Sequence, residues 1–179
     1  MKTAQEIIDA YDGGWLDLSG CDLAGITLPT SIGGSLDLTG CDLAGITLPT
    51  SIGGWLDLRG CDLAGITLPT SVGGSLDLRG CDLAGITLLT SVGGSLYLRG
   101  CDLAGITLPT SIGGSLYLHK QPWGVSITRE QMTIGCKTFS HTGWAGFDDS
   151  KISAMDQRAL EFWKTNKAEL MSLCAHMAQ

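Results

Sequence analysis

From residue 13 to residue 118 the apolar positions keep a beat of two, broken at regular intervals by glycine. Within Gly33–Ile52 they run Leu36 and Leu38, then Cys41 and Leu43, then Ile46 and Leu48. Alternation with period two predicts strands rather than helices. Gly40, Gly45 and the pair Gly33-Gly34 mark corners, and Pro49 follows the Ile-Thr-Leu run where a strand can end. The whole pattern recurs almost unchanged at 13–32, 53–72, 73–92 and 93–112, and a sixth copy starts at Gly113 and decays after Leu118. Twenty residues cannot bury their own apolar side, so each copy must lean on its neighbours. The predicted fold is mainly β: a parallel β-solenoid of 20-residue coils, with equivalent residues stacked about 4.8 Å apart.

The solenoid is expected to span residues 13–119. Its strand edges need covers, and residues 1–12 read as an N-terminal helical cap offering Ala4, Ile7, Ile8 and Tyr11 to the first coil. Residues 120–179 change composition, with Trp123, Trp144, Trp163 and all three Phe. They read as a small α-helical C-terminal module. Asp148-Asp149-Ser150 predicts an N-capped short helix, and Asp156 a cap for a second one carrying the stripe Leu160, Trp163, Leu170, Cys174 and Met177.

Composition narrows the function classes. Glycine supplies 26 of 179 residues without recurring every third position, which excludes collagen. Hydrophobic residues at 44% against 16% charged argue against disorder, and no apolar run reaches the length of a transmembrane helix. The opening residues lack the apolar core of a secretory signal, so the expected location is the cytoplasm. Of the net charge of −7, residues 13–112 carry −6, from nine Asp and three Arg. A basic footprint for nucleic acid is absent, so direct nucleic-acid binding is not expected. Cys21, Cys41, Cys61, Cys81 and Cys101 recur every twenty residues, one per coil. They read as small buried apolar residues in a reduced compartment rather than as a disulfide framework. No clustered His/Cys, phosphate loop or dinucleotide fingerprint is present, so no metal, cofactor or catalytic residue is expected.

Cys-Asp-Leu-Ala-Gly at 21–25, 41–45, 61–65, 81–85 and 101–105 resembles the unit of pentapeptide-repeat proteins, four of which make one square coil. The resemblance breaks at Ser31-Ile-Gly-Gly-Ser35, where the inward central leucine of that family is replaced by Gly33. Leu36-x-Leu38-x-x-Cys41-x-Leu43-x-x-Ile46, with Leu48-Pro49-x-x-Ile52 after it, is similar to the short bacterial leucine-rich repeat. The array also resembles the Gly-Gly-Ser-Leu-Asp-Leu repeats of phage and gut-bacterial proteins. The segment from Ile134 to Trp163 looks like a C-terminal module of phage-encoded proteins. Together these resemblances imply a right-handed parallel β-solenoid of phage or prophage origin, acting inside a bacterial host.

Candidate binding residues lie where the copies differ. One outward column reads Trp15, Ser35, Trp55, Ser75, Ser95, Ser115; the next reads Asp17, Asp37, Asp57, Asp77, Tyr97, Tyr117; the third reads Ser19, Thr39, Arg59, Arg79, Arg99, His119. Exposed aromatics and arginine are the types enriched at binding hot spots, and Trp144 joins them as a candidate in the C-terminal module. The expected function is therefore a non-enzymatic protein-binding repeat protein, and the phage resemblance implies that it inhibits or sequesters a host protein, such as a defence or nucleic-acid-processing protein. Two alternatives stay open. The aspartate columns, including Asp22, Asp42, Asp62, Asp82 and Asp102, could mimic DNA phosphates against a topoisomerase or nuclease, as in pentapeptide-repeat proteins that protect gyrase. Alternatively, the chain is a scaffold whose C-terminal module pairs two copies.

Overall fold

The computed structural model describes residues 3–179 and resolves the repeat into a parallel β-solenoid of about five turns. Each coil contributes two strands of only two residues. Leu16–Asp17, Leu36–Asp37, Leu56–Asp57, Leu76–Asp77 and Leu96–Tyr97 pair in parallel, leucine upon leucine. Ser31–Ile32, Ser51–Ile52, Ser71–Val72, Ser91–Val92 and Ser111–Ile112 form a second parallel stack. Strands are this short because corners arrive every five residues. The Cys41 N–H donates to the Leu38 carbonyl at 3.0 Å, and the Ile46 N–H to the Leu43 carbonyl at 2.9 Å. The third residues of these turns, Gly40 and Gly45, have φ of 69° and 76°, a conformation that excludes most side chains.

Inside the second coil, Leu36, Leu38, Cys41, Leu43, Ile46, Leu48 and Ile52 are all buried. Leu38, Leu43 and Leu48 keep a five-residue step, which would next place Gly53 in the core. Instead Ile52 is buried and Gly53 is exposed, so the inward phase slips by one residue on this side of the coil. Close backbone approach explains the slip. The Gly53 and Gly54 N–H groups donate to the carbonyls of Ile32 and Gly34 at 2.8 and 2.7 Å. A Cβ at Gly53 would collide with the Gly33 carbonyl, and one at Gly54 would lie 2.8 Å from that of Gly34. The same crowding returns at Gly73, Gly74, Gly93 and Gly94, so only glycine fits and the preceding Ile or Val fills the core.

The N-terminal helix is shorter than expected, spanning Ala4–Asp9, and part of the expected cap, Met1 and Lys2, lies outside the described residues. Thr3 Oγ1 accepts from the Glu6 N–H while Glu6 returns a carboxylate to the Thr3 N–H, a reciprocal cap that starts the helix there. Ala4 is buried, and the helix packs beside the Leu16–Asp17 strand.

One compact unit ends at Gly114; the second runs from Ser115 to Gln179. The second unit does contain helices, but it opens with an antiparallel meander that composition alone concealed. Leu116–Lys120 pairs with Trp123–Ile127, that strand with Gln131–Ile134, and that with Lys137–Ser140. Helices His141–Ala145, Asp149–Ser153 and Ala159–Met177 follow. Asp148 caps the second of these, its carboxylate accepting from the Lys151 N–H at 2.8 Å. Asp156 does not cap the long helix: it accepts from the Arg158 N–H, and the helix begins after Arg158 without a side-chain cap. Val125, Ile127, Met132, Ile134, Trp144, Ile152, Phe162, Trp163, Leu170, Cys174 and Met177 build this unit's core.

Candidate functional site

Parallel register decides which side chains meet on the outer face of the Leu-x-Leu strands. Because Leu16, Leu36 and Leu56 are paired partners, Trp15, Ser35 and Trp55 occupy one column, a single interstrand step apart. Among the described residues of this unit the two indoles are the large exposed hydrophobic groups, Trp15 at 67% and Trp55 at 47%. Ser35 between them is small, and its hydroxyl accepts from the Trp55 N–H at 2.9 Å, which holds it against the backbone. Trp15, Ser35, Leu36, Asp37, Trp55, Asp57 and Arg59 line a cavity of about 290 Å³.

The neighbouring aspartate column does not stand outward as the alternation predicts. Asp17 is exposed and Asp37 half-buried, but Asp57 is 5% exposed and Asp77 fully buried. Each folds back, its Oδ1 accepting from the N–H two residues on, at Ser19, Thr39, Arg59 and Arg79. In the third and fourth coils the arginine side chain closes over the carboxylate. Arg59 Nε lies 2.9 Å from both Asp57 oxygens and its Nη2 2.7 Å from Oδ2. Arg79 repeats the clasp on Asp77, and Arg59 also reaches Asp77 at 3.7 Å. Burial pushes the Asp57 carboxyl up, but hydrogen bonds from the Arg59 side chain and backbone outweigh it and hold the group below its ordinary value. Hydrogen bonding to Asp57 and to Asp77 raises Arg59 and Arg79 in turn. Asp37, whose next-but-one residue is Thr39, makes no ion pair within 4 Å among the described residues and meets Arg59 only at longer range. Tyr97 replaces the aspartate in the fifth coil, with the Arg79 guanidinium 5.6 Å from its ring centroid, and Arg99 is exposed.

Other columns are occupied by the fold itself. Asp42, Asp62 and Asp82 accept from the N–H groups of Ala44, Ala64 and Ala84 at 2.9 Å, as corner residues do. Thr50, Thr70, Thr90 and Thr110 donate both N–H and hydroxyl to the threonine carbonyl one coil earlier. The thiols of Cys41, Cys61, Cys81 and Cys101 donate to the carbonyls of Leu18, Leu38, Leu58 and Leu78 at 3.0–3.1 Å. Burial pushes these thiols up, Cys81 to about 11.

Two cavities carry no residue singled out by the repeat's variation as a candidate, apart from Trp144. A shallow groove of about 580 Å³ runs along the exposed Gly33 column and the partly buried Ser31 column, where the one-residue slip at Ile32 and Ile52 occurs. In the second unit a cavity of about 100 Å³ lies among Trp123, Cys136, Trp144, Met155 and Trp163. Trp144 itself is buried, its Nε1–H donating to the Met132 carbonyl at 2.6 Å and its ring 5.3 Å from that of Trp163. The structure therefore places it in a core rather than on a binding surface. Tyr117 is exposed and His119 half-buried on the Leu116–Lys120 strand of this unit.

No helix among the described residues is long and apolar enough to cross a membrane. Comparison with protein-family models, curated proteins and solved structures found no match to the chain.

Proposed function

We propose that this chain is a non-enzymatic binding protein of phage or prophage origin that sequesters a protein of its bacterial host, acting in the host cytoplasm. The solenoid holds a rigid face, and the carrying observation is the pair of exposed indoles, Trp15 and Trp55, in a column that elsewhere uses serine. A bulky apolar ring in water costs solubility and contributes nothing to a core, whereas at an interface it is the residue type with the largest energetic share. Arg59, Arg79, Tyr97 and Arg99 extend that face with further hot-spot types. The phage origin and the choice of a defence or nucleic-acid-processing protein as target rest on the resemblance of the repeat. Mimicry of DNA draws less support, because Asp57 and Asp77 are buried and paired with arginine.

The testing experiment is partner recovery from bacterial lysate with the full chain, beside a Trp15→Ser, Trp55→Ser variant. Serine is the repeat's own residue in the intervening coils, so this variant keeps the coil geometry. A partner retained by the full chain and lost by the variant supports the reading; equal recovery by both contradicts it.

A further inference from the structure

Trp15 and Trp55 stand two interstrand steps apart, about 9.6 Å between their backbone positions along the column. Ser35, midway, projects too little to fill the interval, and the cavity lined by Trp15, Ser35 and Trp55 occupies it. A group held at the level of Ser35 would lie one interstrand step, about 4.8 Å, from the level of either indole, inside the ~6 Å reach of a cation–π contact. Formal charge favours a cation there. Asp37, Asp57 and Arg59 line the cavity with a net charge of −1, and Arg59 is already committed to Asp57 and Asp77. Asp37 makes no ion pair within 4 Å among the described residues and feels Arg59 only at longer range, and the −1 of the cavity lies within a stretch, residues 13–112, whose total is −6. The same face makes such a contact internally, with Arg79 over Tyr97.

We propose that the space between Trp15 and Trp55 receives the guanidinium of an arginine side chain from a protein partner, held between the two rings by cation–π contact and paired with Asp37. Guanidinium fits better than ammonium because it is planar, stacks on aromatic faces and sheds its hydration more readily. The inference rests on the proposed binding function and adds to it the chemistry of the group recognised.

The test uses the full chain and two capped pentapeptides, Gly-Ser-Arg-Ser-Gly and its citrulline counterpart, which keeps the shape and removes the charge. The indole N–H resonances of Trp15 and Trp55 are assigned with the single serine variants and followed by NMR. The arginine peptide is expected to shift both resonances and the citrulline peptide to bind about tenfold more weakly, as is the arginine peptide against Asp37→Asn. Equal binding of the two peptides, or no shift of either resonance up to about 10 mM, would overturn the inference. Tighter binding of free methylguanidinium than of the arginine peptide would also overturn it, by removing the protein partner. If a recovered partner still depends on Trp15 and Trp55 while the peptides are not distinguished, the inference fails and the binding function stands.

Discussion

Arg79 closes over the carboxylate of Asp77, two residues before it in sequence, with its Nη2 2.6 Å from an oxygen that has no solvent exposure. The aspartate is thus an internal anchor for an arginine whose own side chain remains 42% exposed. Removing Arg79 alone leaves the buried Asp77 charge with only the longer contact to Arg59, at 3.7 Å. Arg79→Ala is expected to cost about 2 kcal/mol, less than a fully buried pair because water reaches the guanidinium. Asp77→Asn, which keeps an oxygen for the Arg79 N–H, should cost less. Urea denaturation of the two variants checks the order.

The Asp57 carboxyl ties acid stability to the same clasp. Its folded-state pKa lies below the ordinary 3.8, so the stability it contributes is present above that value and is lost as pH falls through the folded pKa. Thermal melts below about pH 4 should therefore drop less for Asp57→Asn than for the unaltered chain. A parallel loss in both would exclude Asp57 as the titrating group.

Two kinds of glycine should respond differently to alanine. Gly65 has φ 74° with open space around its Cβ position, so Gly65→Ala should cost about 1 kcal/mol in backbone strain. At Gly73 a Cβ would strike the Gly53 carbonyl one coil earlier, and the backbone bonds between the coils leave nothing to yield. Gly73→Ala should cost about 3 kcal/mol or prevent folding. Equal midpoints in denaturant would refute the close approach.

That close approach is also where the sequence stopped being legible. The twenty-residue period carries the parallel stack, because residues such as Leu36 and Leu38 recur in register and alternation fixes their side. The slip from Gly53 to Ile52 cannot be read from alternation, since it comes from contact between backbones of different coils. The burial of Asp57 and Asp77 was hidden likewise: outward alternation is local, while the arginine that covers them folds back from the next outward column. In the second unit, Val125 and Ile127 with Met132 and Ile134 do show the strand beat, but they sit among aromatics that drew attention to the helices. Trp144 looked like a surface residue for lack of any sign that Met132 offers its carbonyl. The exposed pair Trp15 and Trp55 was legible, because a tryptophan replacing serine in an outward column has no inward role to play.

Thiol chemistry separates the coils from the surface. Cys136 is exposed, whereas Cys41, Cys61, Cys81 and Cys174 are buried, and burial raises Cys81 and Cys174 to about 11. Cys136 should react first with a maleimide at pH 7, and those four only on unfolding. A thiol whose folded pKa is raised contributes stability that is present below its unfolded value and lost as pH rises toward the folded one. Stability should accordingly fall from about pH 9 to about pH 11. Mass spectrometry of labelled peptides, with melts across that range, checks both statements.

The central claim is that the exposed indole column makes the chain a binding protein, and calorimetry with the recovered partner tests it most directly. The account predicts that Trp15→Ser and Trp55→Ser together weaken binding by about 3 kcal/mol, more than a hundredfold, with the melting temperature unchanged. Affinity within twofold of the unaltered chain would contradict it, most of all if asparagine at Asp22, Asp42, Asp62, Asp82 and Asp102 abolished binding instead.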